Sequence, residues 1–234
     1  MTRRSATAAR RCAAVRARIR GPVAAGGQRS EPVSPLARCP GGILGGTMHV
    51  VRRPFNEAKA TQAAAYLLKL RGGRMSYMKL IKLLYLVDRE ALIRWGRPVT
   101  TDRYVSMDRG PVLSNVLDLI SQGPAPGTES VWDRYISEPI GYEVRLRQEA
   151  PTDELSPAEI SLIEEIFRKY GHMSRWELVD RVHELPEWQD PEGGAIPIRY
   201  ADILKASGKS PDEIEAILAE LDNVAAVESL LRPA

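Results

Sequence analysis

Three histidines, His49, His172 and His183, are the side chains whose type alone suits proton transfer near neutral pH or metal binding. Their spacing gives neither chemistry a frame, since no metal-ligand spacing, Gly-x-Ser-x-Gly elbow or P-loop occurs. His49 falls beside the N-terminal segment, His172 follows Gly171 at a helix end, and His183 falls in the last turn of a helix that starts at Ser174. A structural or solvated role is expected of each. The pair Glu164-Glu165 lies on a capped helix and reads as a solvated face; Gly72-Gly73 and Gly193-Gly194 read as turns. Both cysteines, Cys12 and Cys39, lie in the first 47 residues. From Met48 onward a disulfide, a thiolate metal site and a cysteine nucleophile are therefore excluded, which fits a reducing, cytoplasmic setting. The expectation is a protein that is not an enzyme and takes no cofactor or metal.

The residues with the most to say lie between Tyr77 and Trp95, where the period predicts a helix. At 100° per residue, Tyr77, Leu80, Ile81, Leu84, Val87, Ala91, Leu92 and Trp95 share one broad face. Asp88 falls inside that face. A carboxylate there needs hydrogen-bonding partners, so Asp88 is expected to clamp a neighbouring segment. The opposite face carries Lys79, Lys82, Arg89 and Glu90 with Leu86 and Ile93, and Tyr85 stands at its border. Apolar residues rimmed by charge mark either an interaction patch or a surface that a second layer of the same domain covers, and periodicity leaves both open.

The surrounding elements are legible from their ends. A helix is predicted from about Glu57 to Leu70, stopped at Gly72-Gly73, and Ser76 is expected to cap the helix from Tyr77, which Gly96 and Pro98 end. A short strand is expected around Tyr104–Met107, and Gly110-Pro111 is expected to open a helix with the stripe Leu113, Val116, Leu117 and Ile120. Pro124–Gly127 reads as a loop, and Val131–Ile136 with Tyr142–Arg147 as two strands joined by Glu138-Pro139-Ile140-Gly141. Three Ser-x-x-Glu boxes, at Ser156, Ser174 and Ser210, then announce three helices, the second ended by Pro186. The fold class that follows is α+β, predominantly helical, with a small antiparallel hairpin or sheet.

With 234 residues, 44% of them hydrophobic, the chain has enough apolar material for one core. Its apolar stretches fall short of the roughly 18 to 20 residues that cross a bilayer. The net charge of +3 conceals two compositions. Residues 1–47 hold nine arginines, no lysine and one acid, Glu31; residues 48–234 hold 24 basic and 29 acidic side chains, a net −5. An acidic body argues against a broad nucleic-acid footprint. The first segment has no aromatic residue and no sustained period, so disorder is expected there. It reads as an upstream extension from a misplaced start codon, with Met48 as initiator, or as a transit peptide or basic arm.

The run Lys79-Leu80-Ile81-Lys82-Leu83-Leu84-Tyr85-Leu86-Val87-Asp88, followed by Tyr104 and then Gly110-Pro111-Val112, resembles the Panacea-domain, SocA-like antitoxins. His183–Trp188 and Asp202-Ile203-Leu204-Lys205 look like one subgroup of that family, which extends the resemblance over about residues 55 to 230. Met107-Asp108-Arg109, before the Gly-Pro-Val, lacks the aromatic character of the family at that place. The resemblance implies a non-enzymatic bacterial or phage-borne antitoxin that neutralises a toxin protein encoded next door, either by masking it or by handing it to an ATP-dependent protease. Lys79, Leu80, Leu83, Leu84, Asp88 and Tyr104 are then expected to be structural, and Lys82, Tyr85, Leu86, Arg89, Ile93, Arg109, Gly110, Pro111 and Val112 to bind the partner. A different class remains in view: Lys79 and Lys82, exposed on a helix pair with a following hairpin, also suit a winged-helix DNA-binding regulator.

Overall fold

The first helix, α1 (Glu57–Leu70), starts where Asn56 accepts the Lys59 amide at 3.0 Å on its side chain, and ends ahead of Gly72-Gly73. The computed structural model describes residues 55–123 and 129–231; the expectations for residues 1–47 and for the loop 124–127 lie outside them. Strand β1 (Arg74–Ser76) leads into α2 (Tyr77–Trp95), which Gly96 stops in the left-handed conformation, φ 70°. Ser76 does not cap α2. It is the last residue of β1, held in register opposite Glu143, and its hydroxyl is buried without a hydrogen-bond partner.

Strands β2 (Tyr104–Met107) and β3 (Gly110–Leu113) form an antiparallel hairpin, so Gly110-Pro111 opens a strand and not the helix expected from sequence. Pro111 is tolerated because β3 is an edge strand, where a missing N–H breaks no inner ladder. Asp102 displaces the helix start downstream: its carboxylate accepts the Asn115 and Val116 amides, both at 2.9 Å, and caps α3 (Ser114–Gln122) from a distance.

The segment expected as a strand from Val131 is instead helix α4 (Val131–Tyr135). Ser130 and Glu57 override the β-propensity of the run: Ser130 accepts from the Asp133 amide, and Glu57 accepts the Ser130 hydroxyl at 2.7 Å and the Trp132 amide at 3.0 Å. Strand β4 (Glu143–Arg145) therefore pairs with β1, with Met75 opposite Val144, and Ile136 only bridges to Leu146.

All three Ser-x-x-Glu boxes close reciprocally, at the starts of α5 (Pro157–Tyr170), α6 (Arg175–His183) and α8 (Pro211–Leu231). Between the last two lie β5 (Ile196–Ile198), which pairs with β2, and α7 (Tyr200–Ala206). The described residues thus form eight helices around two small antiparallel sheets, α+β and mostly helical. Helix α2 is the axis. It packs on α1, α5, α6, α7 and β3, and Leu80, Leu83, Leu84, Val87 and Leu92 are fully buried. No helix among the described residues is long and apolar enough to cross a membrane.

Candidate partner-binding face

The structure separates the expected partner-binding residues into an internal set and an exposed one. Lys82 is 1% exposed, Tyr85 0% and Leu86 6%, while Ile93 packs against the core. The face expected to be outward is internal, because a second layer made by α6 and the turn after it closes over it. Lys79 donates to the Gly171 and Met173 carbonyls at 2.6 and 2.5 Å, satisfying the frayed end of α5. Lys82 donates to the Pro111 carbonyl at 2.7 Å, and burial pushes its ammonium down to about 7. Tyr85 and Arg89 both grip Glu187, at 2.9 and 2.6 Å. These charges sit on helix α2 to tie it to other segments.

Asp88 is the clamp its position implied. It is fully buried and accepts the Val99 and Thr100 amides at 3.0 and 2.9 Å, the Thr100 hydroxyl, and the Tyr104 hydroxyl at 3.1 Å. Burial raises its pKa to about 7, against the pull of the Thr100 amide and hydroxyl and the Tyr104 hydroxyl. Tyr104 in turn meets Tyr85 edge-on at 5.4 Å. The Lys-Leu-x-Lys-Leu-Leu-Tyr-x-x-Asp run is therefore a packing and anchoring motif.

Gly110, Pro111 and Val112 are buried as well. Gly110 has φ +88°, and a Cβ there would stand 2.6 Å from Val182 Cγ2, 3.2 Å from His183 Cδ2 and 3.3 Å from Lys82 Nζ. Only glycine lets the hairpin approach α6 and α2 so closely. His183 stacks on Trp188 with ring centroids 4.1 Å apart, and burial, then the Lys82 ammonium, lower its pKa. The Trp188 indole donates to the Met107 carbonyl at 3.2 Å. Among the described residues no group of three or more His, Cys, Asp or Glu is placed to hold a metal ion.

Arg109 alone of the Arg109–Val112 run stays exposed, and it marks a surface that sequence reasoning missed. Its guanidinium lies over the ring of Trp176 at 5.4 Å, and that of Arg175 lies over the same ring at 5.3 Å. Trp176 is 49% exposed, on the first turn of α6. In the loop before β4, Tyr142 is 44% and Ile140 71% exposed. The Tyr142 carbonyl accepts the Tyr77 amide at 3.0 Å and their rings lie 6.3 Å apart, which fixes this loop to the start of α2. Burial and Tyr142 raise the pKa of Tyr77, while Arg109 and Arg175 both pull it down.

A signal for Trp176 was present in the sequence. At 100° per residue it falls roughly 115° from the centre of the stripe Leu178, Val179 and Val182 that buries α6. A large indole off the buried face of a well-capped helix has to be exposed or covered by a partner. Aromatic and arginine side chains gathered on one surface are the composition of binding hot spots.

An open groove of about 1030 Å³ lies between α1 and the segment Leu146–Thr152. The carboxylates nearest to it are engaged: Glu149 by Lys69 across its rim, and Asp153 by Gln62 at 2.6 Å.

Comparison with known proteins agrees with the motif. Residues 80–189 match the family described as antitoxin SocA-like, Panacea domain; this stretch runs from within α2 to the turn after α6 and includes the whole Trp176 surface. It is narrower than the resemblance read from sequence, since α1, α7 and α8 lie outside it. No curated protein and no solved structure matches the chain. Through residues 80–189, anchored by the Asp88 clamp and the Gly110 turn, the chain is similar to the SocA-like, Panacea-domain antitoxins.

Proposed function

We propose that this protein is a cytoplasmic, non-catalytic antitoxin that neutralises a toxin protein, encoded by a neighbouring gene, through direct contact at the Trp176 surface. The observation that carries this reading is a half-exposed tryptophan with two guanidiniums over its ring, inside the family-matched stretch. Tryptophan, tyrosine and arginine supply most of the energy of protein interfaces, and a ring already fixed by two cations loses little freedom on binding. The α2 charges offer no comparable surface, because Lys79, Lys82, Tyr85 and Arg89 are spent on internal partners. The same fact takes away the basis of the winged-helix reading, which needs Lys79 and Lys82 facing phosphate.

The test is co-expression with the product of the neighbouring gene. Growth should be restored by the wild-type chain and not by Trp176→Ala, with toxin abundance followed by immunoblot. Unchanged toxin abundance during rescue supports masking. Loss of the toxin protein, abolished by removing an ATP-dependent protease, would assign delivery for proteolysis instead.

A further inference from the structure

The Trp176 surface has a definite electrical character. Neither Arg109 nor Arg175 forms an ion pair with the described residues, and both guanidiniums lie over the one half-exposed Trp176 ring. The acids closest in sequence are engaged by backbone: Asp108 accepts the Gly193 amide at 3.0 Å, and Glu177 accepts the Ser174 amide at 2.6 Å in its capping box. Two guanidiniums on one indole thus make a local cationic clamp on a chain whose residues 48–234 carry a net −5.

From this we infer that the partner inserts a carboxylate-bearing segment, with an apolar side chain next to the acid, into the Arg109–Trp176–Arg175 clamp. This rests on the reading of the Trp176 surface as the partner-binding face. A guanidinium presents a planar fork that matches a carboxylate, and an acid docked on either fork beside the indole gains charge-assisted hydrogen bonds. Burying an adjacent apolar residue on the half-exposed indole would exclude water and strengthen those bonds. The acidic body selects against the other class of anion: a polyphosphate chain long enough to leave the clamp meets net negative surface, whereas a single acid in a protein segment does not.

A random peptide library displayed on phage and selected on the full chain tests this without knowledge of the natural partner. Selected sequences should place Asp or Glu beside an aromatic residue or leucine. A synthetic peptide of the enriched sequence should lose affinity by about tenfold or more on the double change Arg109→Gln and Arg175→Gln, and on Trp176→Ala. Its affinity for the wild type should also fall with salt, and that dependence should flatten in the glutamine variant. Selected peptides without acids, or peptides lost on Trp176→Ala but indifferent to the glutamine pair, would overturn the acidic chemistry while leaving the face in place. Peptides indifferent to all three changes, or a selection that yields none, would overturn the clamp and the face together. A single-stranded oligonucleotide that binds more tightly than the peptide, in an arginine-dependent way, would overturn the choice of a protein ligand.

Discussion

The Tyr85 hydroxyl donates to Glu187 Oε1 at 2.9 Å across 102 residues of chain, and Arg89 Nε meets the same oxygen at 2.6 Å. The Glu187 side chain is fully buried and that of Arg89 16% exposed, so this ion pair does structural work that surface pairs do not. It latches the turn after α6 onto α2. Glu187→Ala leaves a cation and a hydroxyl without their acceptor under cover and should cost about 3 kcal/mol or more. Urea denaturation of the variant checks this; a midpoint within error of the wild type would contradict it.

Asp88→Ala removes one acceptor from four donors at once, and the loss should reach about 3 kcal/mol. Asp88→Asn keeps part of the network and should fall between. Thermal unfolding that ranks alanine no lower than asparagine would show that the clamp is not the source of the effect.

Gly110 and Gly141 both hold positive φ, +88° and +61°, but a Cβ at Gly141 meets nothing within 4 Å while one at Gly110 enters Val182. Gly141→Ala should therefore cost only the backbone term of about 1 kcal/mol. Gly110→Ala should add overpacking of about 1 to 3 kcal/mol. Equal losses in the two variants would mean that the close approach of the hairpin to α6 is not tight.

Lys82 gives a pH dependence of defined sign. Burial lowers its folded pKa from 10.5 to about 7, so between these values the unfolded chain binds the extra proton. Its contribution to stability therefore rises with pH from about 7 toward 10.5, and the penalty of the buried charge is complete below about 7. In Lys82→Met this rise should disappear. Unfolding midpoints of the two proteins measured from pH 6.5 to 9.5 decide it: parallel profiles would contradict the assignment.

Much of this was legible in the sequence, and the failures share a cause. Capping boxes at Ser156, Ser174 and Ser210 were readable because both partners lie within four residues. Asp88 was readable because a carboxylate on an apolar stripe has few explanations. Val131–Tyr135 was misread because Glu57, more than 70 residues upstream, supplies the acceptor that turns the run into a helix. Gly110-Pro111 was misread because the true cap of α3 is Asp102, beyond the reach of a local rule. The polar face of α2 was misread because lysine and arginine look solvent-facing until their distant carbonyl and carboxylate partners are seen; Leu86→Glu should accordingly unfold the domain, whatever it binds.

The Trp176 surface is where the account of function is most exposed, because the core residues would be needed by any protein of this fold. Trp176→Ala removes a half-exposed side chain and should change stability by no more than about 0.5 kcal/mol. Titration calorimetry of the folded variant against an inactive form of the neighbouring gene's product, beside the wild type, is the decisive measurement. A loss of at least about 2 kcal/mol of binding free energy, with the unfolding midpoint unchanged, is the expected result. Binding of wild-type strength by the Trp176→Ala protein would contradict the assignment of this face.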